Sequence, residues 1–247
     1  MNVSTDQGHL LVIDAIDGAG KSTVIRAMTD RLKSQGKKIF DLPAYMQEFH
    51  RMPEISEPAL LEADVLLSAE PTYSWIGAAI REEFIKPHTN RTYDGRIAAQ
   101  AFSLDRQILF SRIVLPFLRE RPDRLVIQDR GVITSMVYQP LQDAQVTLDW
   151  ILSLEGNQLE LSRPPDTFIL LSLSPEIAMQ RVGNRDQKDD RQIYETLEFQ
   201  KKIAARYRDP EVLTPYREAG TQIIEIDASR SPTEVCADAC RALPMIS

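Results

Sequence analysis

Seven consecutive residues, Asp17-Gly18-Ala19-Gly20-Lys21-Ser22-Thr23, bring together two glycines, a lysine and two hydroxyls. A chain that wraps closely around phosphate oxygens needs glycines, so that backbone N–H groups can point inward without a Cβ in the way. A lysine at this spacing reaches the β and γ oxygens of a nucleoside triphosphate, and the hydroxyl after it can hold Mg²⁺. Ala15 stands where the usual pattern has its first glycine, and it fits if its φ is negative. A glycine-rich turn that binds nothing would not need Gly-Lys-Ser-Thr in register between an apolar run and a helical pattern. Asp17, Gly18, Ala19, Gly20, Lys21, Ser22 and Thr23 are therefore the expected nucleotide cradle, with ATP and Mg²⁺ as its cofactors.

Moving a phosphoryl group onto a second anion crowds like charges, and arginine is the suitable counter-ion because its planar fork grips oxygens and keeps its charge. Arg81, Arg130, Arg181, Arg185 and Arg191 are candidates; Arg112 and Arg119 read as ordinary solvated charges. Arg130 directly follows an apolar strand, which is a poor place for a surface residue. Phe102 and Arg106 lie four apart, share one helix face and could frame a single base. Asp129 and Asp17 could be turn or capping residues.

The elements that must position these groups alternate. Short apolar runs at 10–16, 63–67, 125–128, 167–173 and 221–226 predict five strands buried on both faces. Helical patterns fall at roughly 20–35, 74–85, 95–120, 132–139, 175–184, 191–208 and 232–243. Ser174-Pro175 and Ser231-Pro232 have the capping hydroxyl and first-turn proline of helix starts. This predicts an α/β fold with a parallel five-stranded sheet flanked by helices in three layers. Residues 41–62 break the alternation with Pro43, Pro53 and Pro58 and read as a surface insertion, with a lid or an oligomer contact as the alternative.

Composition narrows the classes. With 43% apolar and 26% charged residues, the 247-residue chain can bury a real core. A net charge of −7 argues against a nucleic-acid or membrane-surface binder. Met1 to Gly8 is polar and lacks the pattern of a signal peptide, and every apolar run is strand-sized, so a cytoplasmic protein is expected. Cys236 and Cys240 read as reduced thiols on a packed helix face.

Asp129-Arg130 with Thr134-Ser135 and Tyr138-Gln139, and Phe102-Ser103-Leu104-Asp105-Arg106, resemble two stretches of thymidylate kinases. Ser174-Pro175-Glu176 with Arg181, Arg185, Asp190-Arg191, Glu195 and Phe199 is similar to their fourth-strand and lid region. Ile226-Asp227-Ala228 with Ser231 and Glu234-Val235 resembles their last strand and helix. The likeness runs from about Leu10 to Leu243. It implies one P-loop kinase domain over 1–247 with a lid at about 183–191, strand order 2-3-1-4-5, a homodimer, and small nucleotides as partners. It implies that Arg130 contacts the acceptor phosphate and the γ-phosphate region, and that Arg185 and Arg191 belong to a lid over ATP. It further implies that Asp129 holds Mg²⁺ through water, that Asp17 meets the sugar, that Phe102 stacks on thymine and that Arg106 donates to O4. Ser135 would meet the base edge, and Tyr138 would exclude a 2′-hydroxyl. The activity implied is transfer of the γ-phosphoryl group of ATP to a deoxynucleoside 5′-monophosphate, dTMP above all.

Some positions depart from the pattern. Ala69 replaces an arginine that would grip the acceptor phosphate, and Ile193 replaces a lid carboxylate. Glu70-Pro71-Thr72-Tyr73-Ser74-Trp75 also resembles the deoxynucleoside kinases, in which such a glutamate is the base for a 5′-hydroxyl. A monophosphate already carries its charge and needs no base, so Glu70 and the missing arginine favour a nucleoside acceptor, while Phe102 with Arg106, Tyr138-Gln139 and the lid sequence favour a monophosphate. A third reading is a non-catalytic P-loop protein that uses ATP as a switch.

Overall fold

A computed structural model describes residues 7–86, 93–183 and 196–246 of the chain. Its centre is β1, His9–Ala15, where the leucine, valine and isoleucine side chains are buried on both faces. Strand β1 runs through the phosphate loop into α1, Lys21–Ser34. Then come β2 (Ile39–Asp41), α2 (Leu42–Phe49), α3 (Pro58–Leu61), β3 (Val65–Ala69) and α4 (Trp75–Ile80), which widens into a π-helical turn at Arg81–Ile85. Helix α5 (Gly95–Leu109) passes through a second π turn, Phe110–Val114, into α6 (Leu115–Glu120) and β4 (Leu125–Asp129). Helices α7 (Val132–Gln142), α8 (Leu148–Ser153) and α9 (Glu155–Ser162) lead to β5 (Thr167–Ser172) and α10 (Pro175–Gly183). The chain closes with α11 (Leu197–Tyr207), α12 (Pro210–Glu218), β6 (Gln222–Asp227) and α13 (Pro232–Arg241).

All sheet pairings are parallel, in the order β2-β3-β4-β1-β5-β6. The five expected strands fall in the expected order. The sheet has six strands rather than five, because β2 adds a three-residue edge beside β3. So short a run, with one buried residue, carries no readable alternation.

Register explains where the chemistry collects. Asp129 is level with Ala69 on one side and Ile13 on the other, so three neighbouring strands end together. The loops after β1, β3 and β4 therefore open at one rim, the crevice that parallel sheets offer to ligands.

Residues 41–62 are more integrated than a surface insertion. Asp41 caps α2 by accepting from Ala44 N–H at 3.0 Å. Leu42, Met46, Met52 and Leu60 are buried in the main core. Five helices, α2, α3, α8, α9 and α12, were not legible as such. Pro43 read as a break, although α2 and α12 each begin at an aspartate cap with a first-turn proline. Helices α8 and α9 are only six and eight residues long, and α9 has no strong apolar face.

Candidate active site

The phosphate loop is shaped by backbone conformations that side chains would resist. Gly18 and Gly20 have φ of +85° and +98°. A Cβ on Gly18 would also lie 2.5 Å from the carbonyl oxygen of Ala178. Ala15 is not among the positive-φ residues, so its methyl group is tolerated in place of a glycine. Helix α1 begins as Thr23 and Val24 donate to Gly20 O, and no side chain caps its first turn. Its N–H groups are thus left for an anion. Lys21 lies against the loop, with Nζ 3.4 Å from Ala15 O and 4.0 Å from Asp17 Oδ1. Burial lowers its pKa and Arg130 adds to the effect, while Asp129, Asp17 and Asp14 oppose it.

Arg130 sits at the end of β4 with φ of +71°. Its guanidinium donates to Asp17 Oδ1 at 2.6 Å and to Asp14 Oδ1 at 3.3 Å, and lies 5.7 Å from the Tyr138 ring centroid. Burial works against its charge, but Asp17, Tyr138 and Asp14 outweigh burial and raise its pKa well above the usual value. Asp14 is fully buried and also accepts from Ala15 N–H at 2.7 Å and from the Thr134 hydroxyl. Beside them, burial raises the Asp129 carboxyl while Lys21 and Arg130 draw it down. Its Oδ1 is buried without a hydrogen-bond partner. An orphaned carboxylate oxygen near a triphosphate cradle fits a water-carrying Mg²⁺, and Ser22 stands in the first turn of α1.

A pocket opens on this cluster. Asp17, Asp129, Arg130 and Thr134 border one end of it. Ala69, Glu70, Pro71, Tyr73 and Arg81 form one wall, and Phe102, Tyr138, Gln139 and Gln142 another. Arg81 donates to Thr72 O at 3.0 Å and to Pro71 O, and its guanidinium lies 3.7 Å from the Tyr73 ring centroid. Burial lowers its pKa, with Tyr73 and Asp105 opposing. The loop after β3 is fastened by Asp105, whose two oxygens accept from Thr72 N–H and Oγ1, both at 2.7 Å. Gln139 is 3% exposed, and its Oε1 has no hydrogen-bond partner. A buried amide left unpaired in a cavity wall can both donate to and accept from a ligand edge.

Arg106 and Ser135 do not border this pocket. Arg106 is 1% exposed and lies behind the wall among buried groups. It donates to Glu70 Oε2 at 2.5 Å and to Asn157 Oδ1, and its Nε is 3.0 Å from Glu160 Oε2. Ser135 Oγ accepts from the same arginine at 3.5 Å. The expected base reader is instead the centre of a buried ion cluster, because Glu160 and Asn157 approach it from α9. Glu70 also accepts from Gln128 Nε2 at 3.1 Å. Burial, opposed by Arg106 and reinforced by Glu160, pushes the Glu70 pKa up to about 8.

A second pocket lies on the other side of the phosphate loop. Gly18, Ala19, Gly20, Thr23, Val24 and Arg181 border it, facing Ala228, Arg230, Pro232, Val235 and Cys236. Arg181 is the basic residue of α10 that borders this pocket. Arg185 and Arg191, with most of the expected lid at 183–191, lie outside the described residues.

Several residues that border or support the site were not singled out from sequence. Asp14 had a signal, since a carboxylate inside an otherwise apolar strand needs a partner. Tyr73, Gln139 and Thr134 stood within motifs but carried no distinguishing spacing. Glu160 and Asn157 gave none, because their partner is 51 residues or more away.

A parallel sheet with a glycine-shaped phosphate loop at its rim, Lys21 and Arg130 converging there, and one pocket on each side of the loop defines a P-loop phosphotransferase with separate donor and acceptor sites. The family model for thymidylate kinase matches residues 57–239. The chain belongs to that family, and so to the nucleoside-monophosphate kinases. It is 28% identical over 226 residues to a probable thymidylate kinase of Methanospirillum hungatei, covering 90% of this chain and 82% of that one. It is 27% identical to the thymidylate kinase of Caldicellulosiruptor saccharolyticus, covering 82% of each chain. It is also 27% identical to that of Dinoroseobacter shibae, covering 95% of each. Among the described residues, no helix is long and apolar enough to cross a membrane.

Proposed function

We propose that this protein transfers the γ-phosphoryl group of ATP to dTMP, giving dTDP and ADP. The observation that carries the reading is the meeting of Lys21, Arg130 and Asp17 at the one point where the phosphate loop borders the acceptor pocket. The triphosphate lies in the cradle of Gly18 to Thr23, with its base in the pocket beside Arg181. Ser22 and Asp129 are the residues that would hold Mg²⁺, which would supply charge neutralisation at the phosphates. Lys21 steadies the β and γ oxygens. Arg130, preset by Asp14 and Asp17, faces the transferred group and the acceptor phosphate. Phe102 offers a face to the base, Gln139 an amide to its edge, and Tyr138 closes the sugar side. Arg81, Ser135 and Arg106 support the pocket walls, and Arg185 and Arg191 complete a lid.

Phe102, Tyr138 and Gln139 on the acceptor pocket support the monophosphate over a nucleoside acceptor. Burial makes the Glu70 carboxyl more basic, but its two oxygens already accept from Arg106 and Gln128. A monophosphate needs no such base. An assay coupled to ADP formation, run with nucleosides and monophosphates in parallel, tests this: dTMP should give the highest kcat/KM. Thymidine outperforming dTMP would move the protein to the deoxynucleoside kinases, and ATP binding without any transfer would make it a switch.

The chain acts as one kinase domain over 1–247, with the 41–62 segment attached to its core. Assembly as a homodimer is supported by Ile97 and Leu104, two turns apart on α5 and 50% and 46% exposed. Sedimentation equilibrium checks this, with Leu104→Glu expected to give monomers. The free thiols Cys236 and Cys240 suit a cytoplasmic setting.

A further inference from the structure

Helix α9 borders neither pocket of the site, yet it sends polar groups into the interior beside the acceptor pocket. Glu160 is 0% exposed. One oxygen lies 3.0 Å from Arg106 Nε, and the carboxylate accepts from Val132 N–H at 3.1 and 3.0 Å. The Tyr216 hydroxyl is 3.5 Å from it. Asn157, also 0% exposed, accepts from Arg106 Nη1 while its amide donates to Ile151 O at 2.7 Å. Gly156 lets α9 come this close: its N–H donates to Ser103 Oγ at 3.1 Å, and a Cβ there would lie 1.8 Å from Ser103 O. Packing alone would be served better by an aliphatic residue, because a buried carboxylate carries a desolvation cost of several kcal/mol.

We propose that Glu160 is a positioning residue for the acceptor end of the site: with Asn157 it fixes Arg106 behind the pocket wall and ties it to the start of α7. The inference rests on the monophosphate-kinase reading above. Arg106 is shared between Glu70, which borders the pocket, and Glu160, which does not. Glu160 therefore determines where the guanidinium sits, and through it where the Glu70 side chain lies. Val132 opens the helix that carries Thr134, Tyr138 and Gln139, all of which border the pocket. Neither connection directly contacts a residue of the phosphate loop or of the pocket beside Arg181. Loss of Glu160 should thus weaken acceptor binding and spare the transfer step.

Glu160→Gln keeps the shape but turns half of the carboxylate into a donor that faces other donors. The KM for dTMP should rise about tenfold, with kcat within about threefold of wild type and the KM for ATP unchanged. The calorimetric dissociation constant for dTMP, measured without ATP, should rise in proportion. If this variant does not fold, Glu160→Asp keeps the charge, shortens the reach and should show the same split. Equal rises in both KM values, or a dTMP KM within about twofold of wild type, would overturn the inference. A wild-type protein that prefers another acceptor would overturn the function proposed above instead, and the same split would then be read with that acceptor.

Discussion

The pockets on the two sides of the phosphate loop are built in different ways. The donor side is largely backbone and short side chains: Gly18, Ala19 and Gly20 face the turn between β6 and α13. The acceptor side is a set of interlocked charges. Asp14, Asp17 and Arg130 form one partly buried cluster, and Glu70, Arg106 and Glu160 a fully buried one, with partners up to 116 residues apart. A cradle of N–H groups needs only local conformation, so a contiguous stretch can encode it. A charged pocket wall needs counter-charges from several elements, and each depends on the others.

The sharpest way to test that contrast is to remove the hub of the acceptor side. Arg106→Met would leave Glu70 and Glu160 buried without their shared cation, which typically costs about 3–5 kcal/mol of stability. Urea unfolding should register this as a lower midpoint with an unchanged slope. A loss below about 1 kcal/mol would mean the cluster relaxes or hydrates freely, and the contrast would fail.

Lys21→Ala attacks the donor side and should do the converse. Its Nζ makes one long contact to Ala15 O and a 4.0 Å approach to Asp17, so folding depends on it little. Loss of a fixed charge at the β and γ oxygens should lower kcat by about 10²–10³-fold. Circular dichroism and unfolding should remain close to wild type. Activity within about tenfold of wild type would place the transfer elsewhere.

These two residues also show what was legible in the sequence. Lys21 was assigned from its neighbours, because the loop, the strand before it and the helix after it are all local. The order of the five long strands followed from resemblance, and their burial from unbroken apolar runs. Arg106 lies on the helix that the pattern predicts over 95–120, bonded to Glu70 of the acceptor pocket. Its setting could not be read, since Asn157 and Glu160 belong to a short helix with little amphipathic signal. Strand β2 escaped for a similar reason: three residues cannot display a period.

Glu70→Gln sharpens the comparison inside the acceptor wall. For a monophosphate acceptor kcat should fall less than about tenfold, whereas loss of a general base would cost about 10²–10⁴-fold. The substitution should also alter the pH dependence of stability. The folded-state pKa of Glu70 is raised from 4.5 to about 8, mainly by burial. Between those values the folded protein binds the extra proton, so the contribution of this group is largest below pH 4.5 and is lost as pH rises towards 8. Unfolding at pH 5.5 and at pH 8 should therefore show a smaller pH dependence in Glu70→Gln than in wild type. An unchanged slope would mean that Glu70 titrates normally.

The smallest effect belongs to the donor side, where two glycines separate conformation from space. Gly18 and Gly20 both have positive φ, but only Gly18 is crowded, by the Ala178 carbonyl oxygen. Nothing lies within 4 Å of a Cβ built on Gly20. Gly20→Ala should therefore pay only the backbone penalty of a left-handed residue, about 1–2 kcal/mol. Gly18→Ala carries the same penalty and in addition must push α10 away from the loop. Because α10 bears Arg181, the KM for ATP should rise more in Gly18→Ala than in Gly20→Ala, while the KM for dTMP changes little in either. If Gly20→Ala were the more damaging of the two, close approach of phosphate to that backbone would be the stronger constraint, and the donor cradle would depend on contact with its ligand rather than on its own packing.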